Sequence, residues 1–101
     1  MPTQFQNKVY KICKKIPKGK VTTYKAIANN IGTKAYRAVG QALSKNPYAP
    51  KVPCHRVIDS QGHLHGFAHG LTEKAKMLRE EGVKIKNNRI EDKKGIIRKI
   101  E

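Results

Sequence analysis

The stretch TTYKAIANNIGTKAYRAVGQAL, Thr22 to Leu43, decides the fold. Its apolar residues fall into two sets. Tyr24, Ile27, Ala28 and Ile31 recur at i, i+3, i+4 and i+7, the period of one face of an α-helix. Thr22 or Thr23 supplies a hydroxyl suited to cap its first turn, and Gly32 stops it. Ala35, Val39, Ala42 and Leu43 repeat the spacing within a second helix, Ala35 to Lys45. Two short helices joined by a small turn containing glycine form a helix-turn-helix pattern. On a positively charged protein such a pair points to DNA.

Arg37, Ala38, Gly40 and Gln41 lie off the apolar stripe of the second helix. A mid-helix glycine costs about 1 kcal/mol relative to alanine, so Gly40 needs a compensating reason. Close approach of a nucleic-acid backbone is one, and close packing of a neighbouring helix is the other.

Upstream, Phe5, Val9, Ile12, Cys13 and Ile16 form one stripe of an amphipathic helix spanning Thr3 to Ile16, with Thr3 as N-cap and Pro17 as terminator. Pro17-Lys18-Gly19-Lys20 is a turn. Downstream, Asn46-Pro47 breaks the helix, and Pro50 and Pro53 bracket an extended stretch. Val52 to Ile58 reads as a tight hook leading into a short strand. Asp59-Ser60-Gln61-Gly62 is a turn, followed by a Gly- and His-rich loop to Gly70. Leu71 to Glu81 is a last helix with Leu71, Ala75 and Leu78 inward, terminated by Gly82, and Val83-Lys84-Ile85 is a closing strand. Residues 86–101 read as a charged tail in which Ile96, Ile97 and Ile100 find no evident place. The expectation is a mainly α, winged helix-turn-helix-like single domain over residues 1–101, with a short β-hairpin as its wing.

Bulk properties agree. A chain of 101 residues with 38% hydrophobic and 29% charged residues has the composition of one soluble domain. No apolar stretch is long enough to span a bilayer, and the N-terminal sequence lacks the apolar run of a signal peptide, so a cytoplasmic protein is expected, nucleoid-associated in a prokaryote. There are 22 basic residues against 7 acidic, a formal net charge of +15. From Met1 to Ile58 there is no Asp or Glu, while Lys8 through Arg56 supply 12 positive charges. Such a half-chain repels itself and calls for a polyanionic partner. An anionic membrane would want a basic amphipathic helix with large aromatic anchors, which is absent. Nucleic acid is the expected partner.

The two cysteines are too few for a disulfide scaffold and are expected to be free thiols. Cys13 falls on the apolar stripe of its helix, as an inert core residue does. Cys54 follows a proline, precedes His55 and Arg56, and lies in acid-free surroundings. Positive charge and an imidazole beside a thiol favour its reactive thiolate form. Adjacent residues do not easily face each other across a hydrogen bond, but a water between them lets His55 act as base if a carboxylate orients it. Residue chemistry alone leaves a reactive and a structural Cys54 both open.

Pro53-Cys54-His55-Arg56-Val57 resembles the active-site signature of the O6-alkylguanine-DNA alkyltransferases. Arg37-Ala38-Val39-Gly40, Asn46-Pro47, Gly62, Gly70, Lys74 and Glu81-Gly82 fall at the same family's spacing. The resemblance covers roughly residues 3 to 85, the family's DNA-binding domain, without its variable N-terminal domain. It implies stoichiometric DNA repair in which Cys54 takes the alkyl group from O6-alkylguanine in double-stranded DNA. The protein would work as a monomer, without cofactor or metal and away from membranes. Glu81, His55 and a bridging water would form the relay that deprotonates Cys54, and Asn46 would tie the recognition helix to the hook. Arg37 would fill the gap left by the flipped nucleotide, since the reacting carbon of a stacked base is out of the thiol's reach. Ala38 and Gly40 would allow close contact in the minor groove. Tyr24 would donate to a ring nitrogen of the base, the backbone at Cys54 and Val57 would read its exocyclic amine, Phe67 would line the pocket, and Lys74 would brace the loop around it.

The chain departs from the family pattern at Tyr36, where a small residue is usual, and at His65 and His69, where glycines are expected. The segment between Tyr24 and Arg37 is one residue short. His63, His65 and His69 have a spacing that admits a metal, but with only Asp59 nearby in sequence they read as solvated loop histidines. The alternative function is that of an alkyltransferase-like damage sensor, which binds flipped alkylguanine without transferring anything. Such proteins commonly carry Trp at the Cys54 position, so the cysteine favours the enzyme.

Overall fold

Thr3 starts the first helix as the sequence predicts. Its hydroxyl accepts from the Gln6 N–H at 3.1 Å while the Gln6 side chain accepts from the Thr3 N–H at 2.9 Å, a reciprocal capping box. The computed structural model describes residues 2–48, 51–64, 71–91 and 95–100. Helix α1 runs Gln4–Cys13 and stops short of the expected Ile16. Lys15 and Ile16 donate to the carbonyls three residues back, tightening the chain into a last turn before Pro17.

A short strand, β1 (Val21–Thr23), then leads directly into α2 (Tyr24–Ile31). Periodicity could not announce β1, because three residues are too few to display alternation and all three are buried. Of the two candidate caps, Thr23 does the capping, its hydroxyl accepting from the Ala26 N–H at 2.9 Å. Gly32 closes α2 with φ of 92°, a left-handed conformation that only glycine adopts without strain. Helix α3 is Tyr36–Ser44, with Ala35 at its N-cap rather than inside it. Helices α1, α2 and α3 all pack against one another, burying Val9, Cys13, Ile27, Ala28, Val39, Ala42 and Leu43. The Tyr10 hydroxyl satisfies the Ala42 carbonyl at 2.6 Å from within this core.

The remaining elements are a 3-10 turn at Cys54–Arg56, β2 (Val57–Ile58), α4 (Leu71–Glu80), β3 (Ile85–Lys86), β4 (Arg89–Ile90) and β5 (Ile96–Ile97). Strand β1 is the centre of a parallel sheet in the order β2-β1-β5, with Thr22 opposite both Val57 and Ile97. Successive strand residues point to opposite faces. Val57 accordingly joins the α1–α3 core, while Ile58 joins a second cluster with Leu64, Ala75, Leu78, Ile85 and Ile90.

Two sequence expectations change here. The closing strand is Ile85–Lys86, not Val83 to Ile85, and it pairs with Arg89–Ile90 across Asn87 and Asn88, both at positive φ. Asparagine tolerates that conformation, so a tight hairpin turn forms without glycine. Residues beyond 86 are not merely a charged tail. The Thr22 hydroxyl donates to the Ile97 carbonyl at 2.6 Å, and Asn30 holds the Arg98 carbonyl and the Ile100 N–H. Helices thus dominate, with a helix-turn-helix of α2 and α3 and a β3–β4 wing.

Candidate active site

Pro53 and Cys54 sit in a backbone wound too tightly to be extended. The Cys54 N–H donates to the Val52 carbonyl at 2.8 Å and the Arg56 N–H to the Pro53 carbonyl at 2.9 Å. Cys54 is held at the mouth of the first core with 8% of its surface exposed, so it is sheltered without being sealed in. Cys13 lies deeper in the same core, where burial foremost, and the Cys54 sulfur after it, push its thiol up to about 12. It stays protonated and unreactive, as its place on the α1 stripe implied.

Glu81, just past the end of α4, gathers the two residues that follow Cys54. The His55 Nε2 approaches its Oε2 to 3.1 Å. The approach is off the hydrogen-bond direction, and buried Nε2 has no well-aligned partner among the described residues. Arg56 binds the same carboxylate with both arms, Nε to Oε1 at 2.9 Å and Nη2 to Oε2 at 2.5 Å, and its Nη1 donates to the Ile16 carbonyl at 2.7 Å. Arg56 therefore staples the end of α1, the cysteine turn and the end of α4 together. Sequence reasoning counted Arg56 only as positive charge, and its place in the Pro53-Cys54-His55-Arg56 string was the available signal.

These contacts set the protonation states. Burial lowers the His55 pKa, Glu81 opposes it, and Arg56 and Lys74 lower it further; the net shift is downward. A neutral imidazole near pH 7 follows. Burial raises the Glu81 pKa, but the hydrogen bonds from Arg56, the close approach of the His55 imidazole and the charges of both outweigh it, so the carboxyl falls below its ordinary range and stays ionised.

Asn46, past the end of α3, spans to the hook. Its amide Nδ2 donates to the Val52 carbonyl at 2.8 Å and its Oδ1 accepts from the Tyr48 N–H at 2.9 Å. Lys74 is 1% exposed, donates to the Val57 carbonyl at 2.5 Å and lies 5.9 Å from the centre of the Tyr24 ring. Burial is the main cause that lowers its pKa to about 8. Tyr24 is pushed up to about 12, first by burial and then by the charges of Asp59 and Cys54, so its hydroxyl keeps its proton. The Val57 carbonyl already accepts from Lys74 and the Cys54 carbonyl from the Val57 N–H. Each retains one lone pair for a further donor.

Tyr24, Arg37 and Gly40 line one open groove of about 740 Å³ with Tyr36, Gln41, Ser44 and Asp59. Arg37 is exposed and Ala38 half-buried on the same helix. Of the two sequence explanations of Gly40, close packing of a neighbouring helix is not needed among the described residues. A Cβ there would meet only the Tyr24 ring at 4.0 Å, an ordinary contact, so no helix presses on it. Asp59 turns the chain at the groove edge, its Oδ1 accepting from the Gln61 N–H at 2.9 Å and the His63 N–H at 2.7 Å. Phe67, His65, His69 and Gly70, with the loop that Lys74 was expected to brace, lie outside the described residues.

A family model described as the DNA-binding domain of 6-O-methylguanine DNA methyltransferase matches residues 4–83. The chain belongs to this family. A relative named methylated-DNA–protein-cysteine methyltransferase, from Methanosarcina acetivorans, is 52% identical over 81 residues, covering 79% of this chain and 52% of the relative. The chain spans about half the length of the curated relatives it matches. Among solved structures of the family, Mycobacterium tuberculosis OGT in complex with DNA superposes with a TM-score of 0.78 at 44% identity, over 80% of this chain and 51% of that one. S. pombe ATL in complex with DNA has the same TM-score of 0.78 at 33% identity, over 96% of this chain and 98% of that one. No helix among the described residues is long and apolar enough to cross a membrane.

Proposed function

We propose that the protein repairs DNA by taking the alkyl group of an O6-alkylguanine onto Cys54, once per molecule. One arrangement carries this reading: a sheltered thiol on a tight turn, with the adjoining His55 held 3.1 Å from an ionised Glu81. A carboxylate facing Nε2 fixes the neutral imidazole as the tautomer with its proton on Nε2, leaving Nδ1 as acceptor. The Cys54 proton passes through a water molecule to Nδ1, and Glu81 stabilises the imidazolium. The thiolate displaces the alkyl carbon from O6. A carbon–sulfur bond forms, the carbon–oxygen bond breaks with its electron pair going to the guanine, and the base takes up a proton. Tyr24, whose hydroxyl keeps its proton, donates to a ring nitrogen and makes guanine the better leaving group. The resulting thioether resists hydrolysis, so Cys54 is not regenerated.

Access requires the damaged nucleotide to leave the stack. Helix α3 lies in the minor groove, Ala38 and Gly40 allow close approach, and Arg37 fills the gap. Asn46 keeps α3 and the cysteine hook in register, while Lys74 orients the Val57 carbonyl that, with the backbone at Cys54, reads the exocyclic amine. Phe67 lines the alkyl side of the pocket. The partner is double-stranded DNA bound by a monomer, so the protein works in the cytoplasm, at the nucleoid in a prokaryote.

A second reading, a sensor that binds the flipped base without accepting its alkyl group, is favoured by the match to S. pombe ATL along nearly the whole of both chains. The cysteine at position 54, beside His55 and Glu81, supports transfer. Incubation with an O6-methylguanine duplex should add one methyl to the peptide holding Cys54, and Cys54→Ala should bind the duplex but gain none. Normal binding with an unmodified Cys54 would establish the sensor instead.

A further inference from the structure

Tyr36 opens α3 beside Arg37, and nothing in the local fold calls for an aromatic side chain there. It is 40% exposed, one of two large hydrophobic residues left in water among the described residues. The other, Tyr48, meets Tyr10 edge-on at 5.7 Å; no ring among the described residues packs on Tyr36. Tyr36 stands three residues before Val39 and seven before Leu43, at the N-terminal end of the buried stripe, yet it belongs to neither core cluster. Tyrosine is a middling helix former, and a helix start is better served by a capping side chain, which Ala35 does not supply. The ring instead borders the groove formed with Tyr24, Arg37, Gly40 and Asp59.

We propose that Tyr36 is a stacking wedge, entering the DNA base stack beside the position that Arg37 fills. The inference rests on the reading that this groove receives duplex DNA from which a nucleotide is flipped. Withdrawing a base uncovers the faces of its two stacked neighbours. A guanidinium satisfies the hydrogen bonds of the orphaned partner but is too small to cover both faces. An aromatic plane covers a neighbouring base with little regard for its identity. Apolar side chains inserted from the minor groove unstack and kink the duplex in the same way. Residues 36 and 37 leave the helix about 100° apart, so ring and guanidinium enter side by side rather than one behind the other. The small Ala38 and Gly40 let the helix come close enough for both. Where the family pattern has a small residue, this chain would hold the extrahelical state with two side chains.

The test compares native protein, Tyr36→Phe and Tyr36→Ala on a duplex carrying O6-methylguanine with 2-aminopurine as its neighbour, and on free O6-benzylguanine. The ring is exposed, so neither substitution disturbs the core. Stacking predicts that the ratio of duplex to free-base alkylation rates falls about tenfold in Tyr36→Ala and is kept in Tyr36→Phe. Aminopurine fluorescence in the complex should be brighter with Tyr36→Ala than with the other two. A native ratio and native fluorescence in Tyr36→Ala would overturn the wedge, as would a Phe variant as impaired as the Ala variant. If native protein alkylates neither substrate, transfer fails as a reading, and the fluorescence of the three complexes still decides the role of Tyr36.

Discussion

Replacing Glu81 with Gln tests the joint between fold and chemistry. The family resemblance places Glu81 in the relay alone, with no part in holding the fold. The bidentate grip of Arg56 alters that expectation. Gln can accept from one arm of the guanidinium but presents an N–H to the other. The Arg56 and Glu81 side chains are only 16% and 13% exposed, so the unpaired cation cannot simply turn to water. Exposed pairs are worth about 0–1 kcal/mol and breaking a fully buried one costs about 3–5 kcal/mol. This pair lies between, and Glu81→Gln should lose about 2–3 kcal/mol. With a urea dependence of about 1 kcal/mol per molar for a chain this small, the unfolding midpoint should drop by roughly 2–3 M. Single-turnover alkylation, measured without denaturant on the folded fraction, should slow by about 100-fold, the lower end of what a positioned general base contributes. Arg56→Met separates the two consequences, since it breaks the staple but leaves Glu81 facing His55. It should lose similar stability and much less rate. A native urea midpoint in Glu81→Gln would refute the staple, and an Arg56→Met variant as slow as Glu81→Gln would refute the relay.

Two further predictions concern pH. The His55 pKa is lower folded than unfolded, so below about 6.5 the unfolded chain takes up a proton that the folded one resists. Stability should fall as pH drops through that window, and urea midpoints from pH 7.5 to 5 should be flatter for His55→Gln; parallel curves would contradict the burial argument. Lys74 acts at the alkaline end. Its pKa falls from 10.5 to about 8 on folding, so holding it charged costs about 3 kcal/mol below pH 8, regained as pH rises to 10.5. Lys74→Met should therefore lose about 3 kcal/mol relative to native protein between pH 8 and 10.5, seen as diverging urea midpoints; a constant difference would rule out a strongly depressed lysine.

The parts of the fold legible in the sequence are those written in local periodicity. The apolar stripes gave α1, α2 and α3, and Thr3 and Gly32 marked ends by chemistry that needs no distant partner. What stayed hidden depends on residues far apart in the chain. Val21–Thr23 is a strand because Val57–Ile58 and Ile96–Ile97 flank it, and two or three residues cannot advertise such pairing. Ile96, Ile97 and Ile100 seemed placeless because their partners, Thr22 and Asn30, lie about seventy residues away. The site divides similarly. Cys54 and His55 stood out in one short string, whereas the double hold of Glu81 on His55 and Arg56 exists only once α4 folds back across the cysteine turn.

The central claim is that Cys54 accepts one alkyl group and is spent. Native protein mixed with a large excess of O6-methylguanine duplex, with methyl transferred per protein followed to completion, tests it most directly. The account predicts a plateau at one methyl per molecule, no recovery on adding fresh DNA, and no transfer by Cys54→Ala. A plateau at zero with intact binding, or transfer that continues past one, would contradict it.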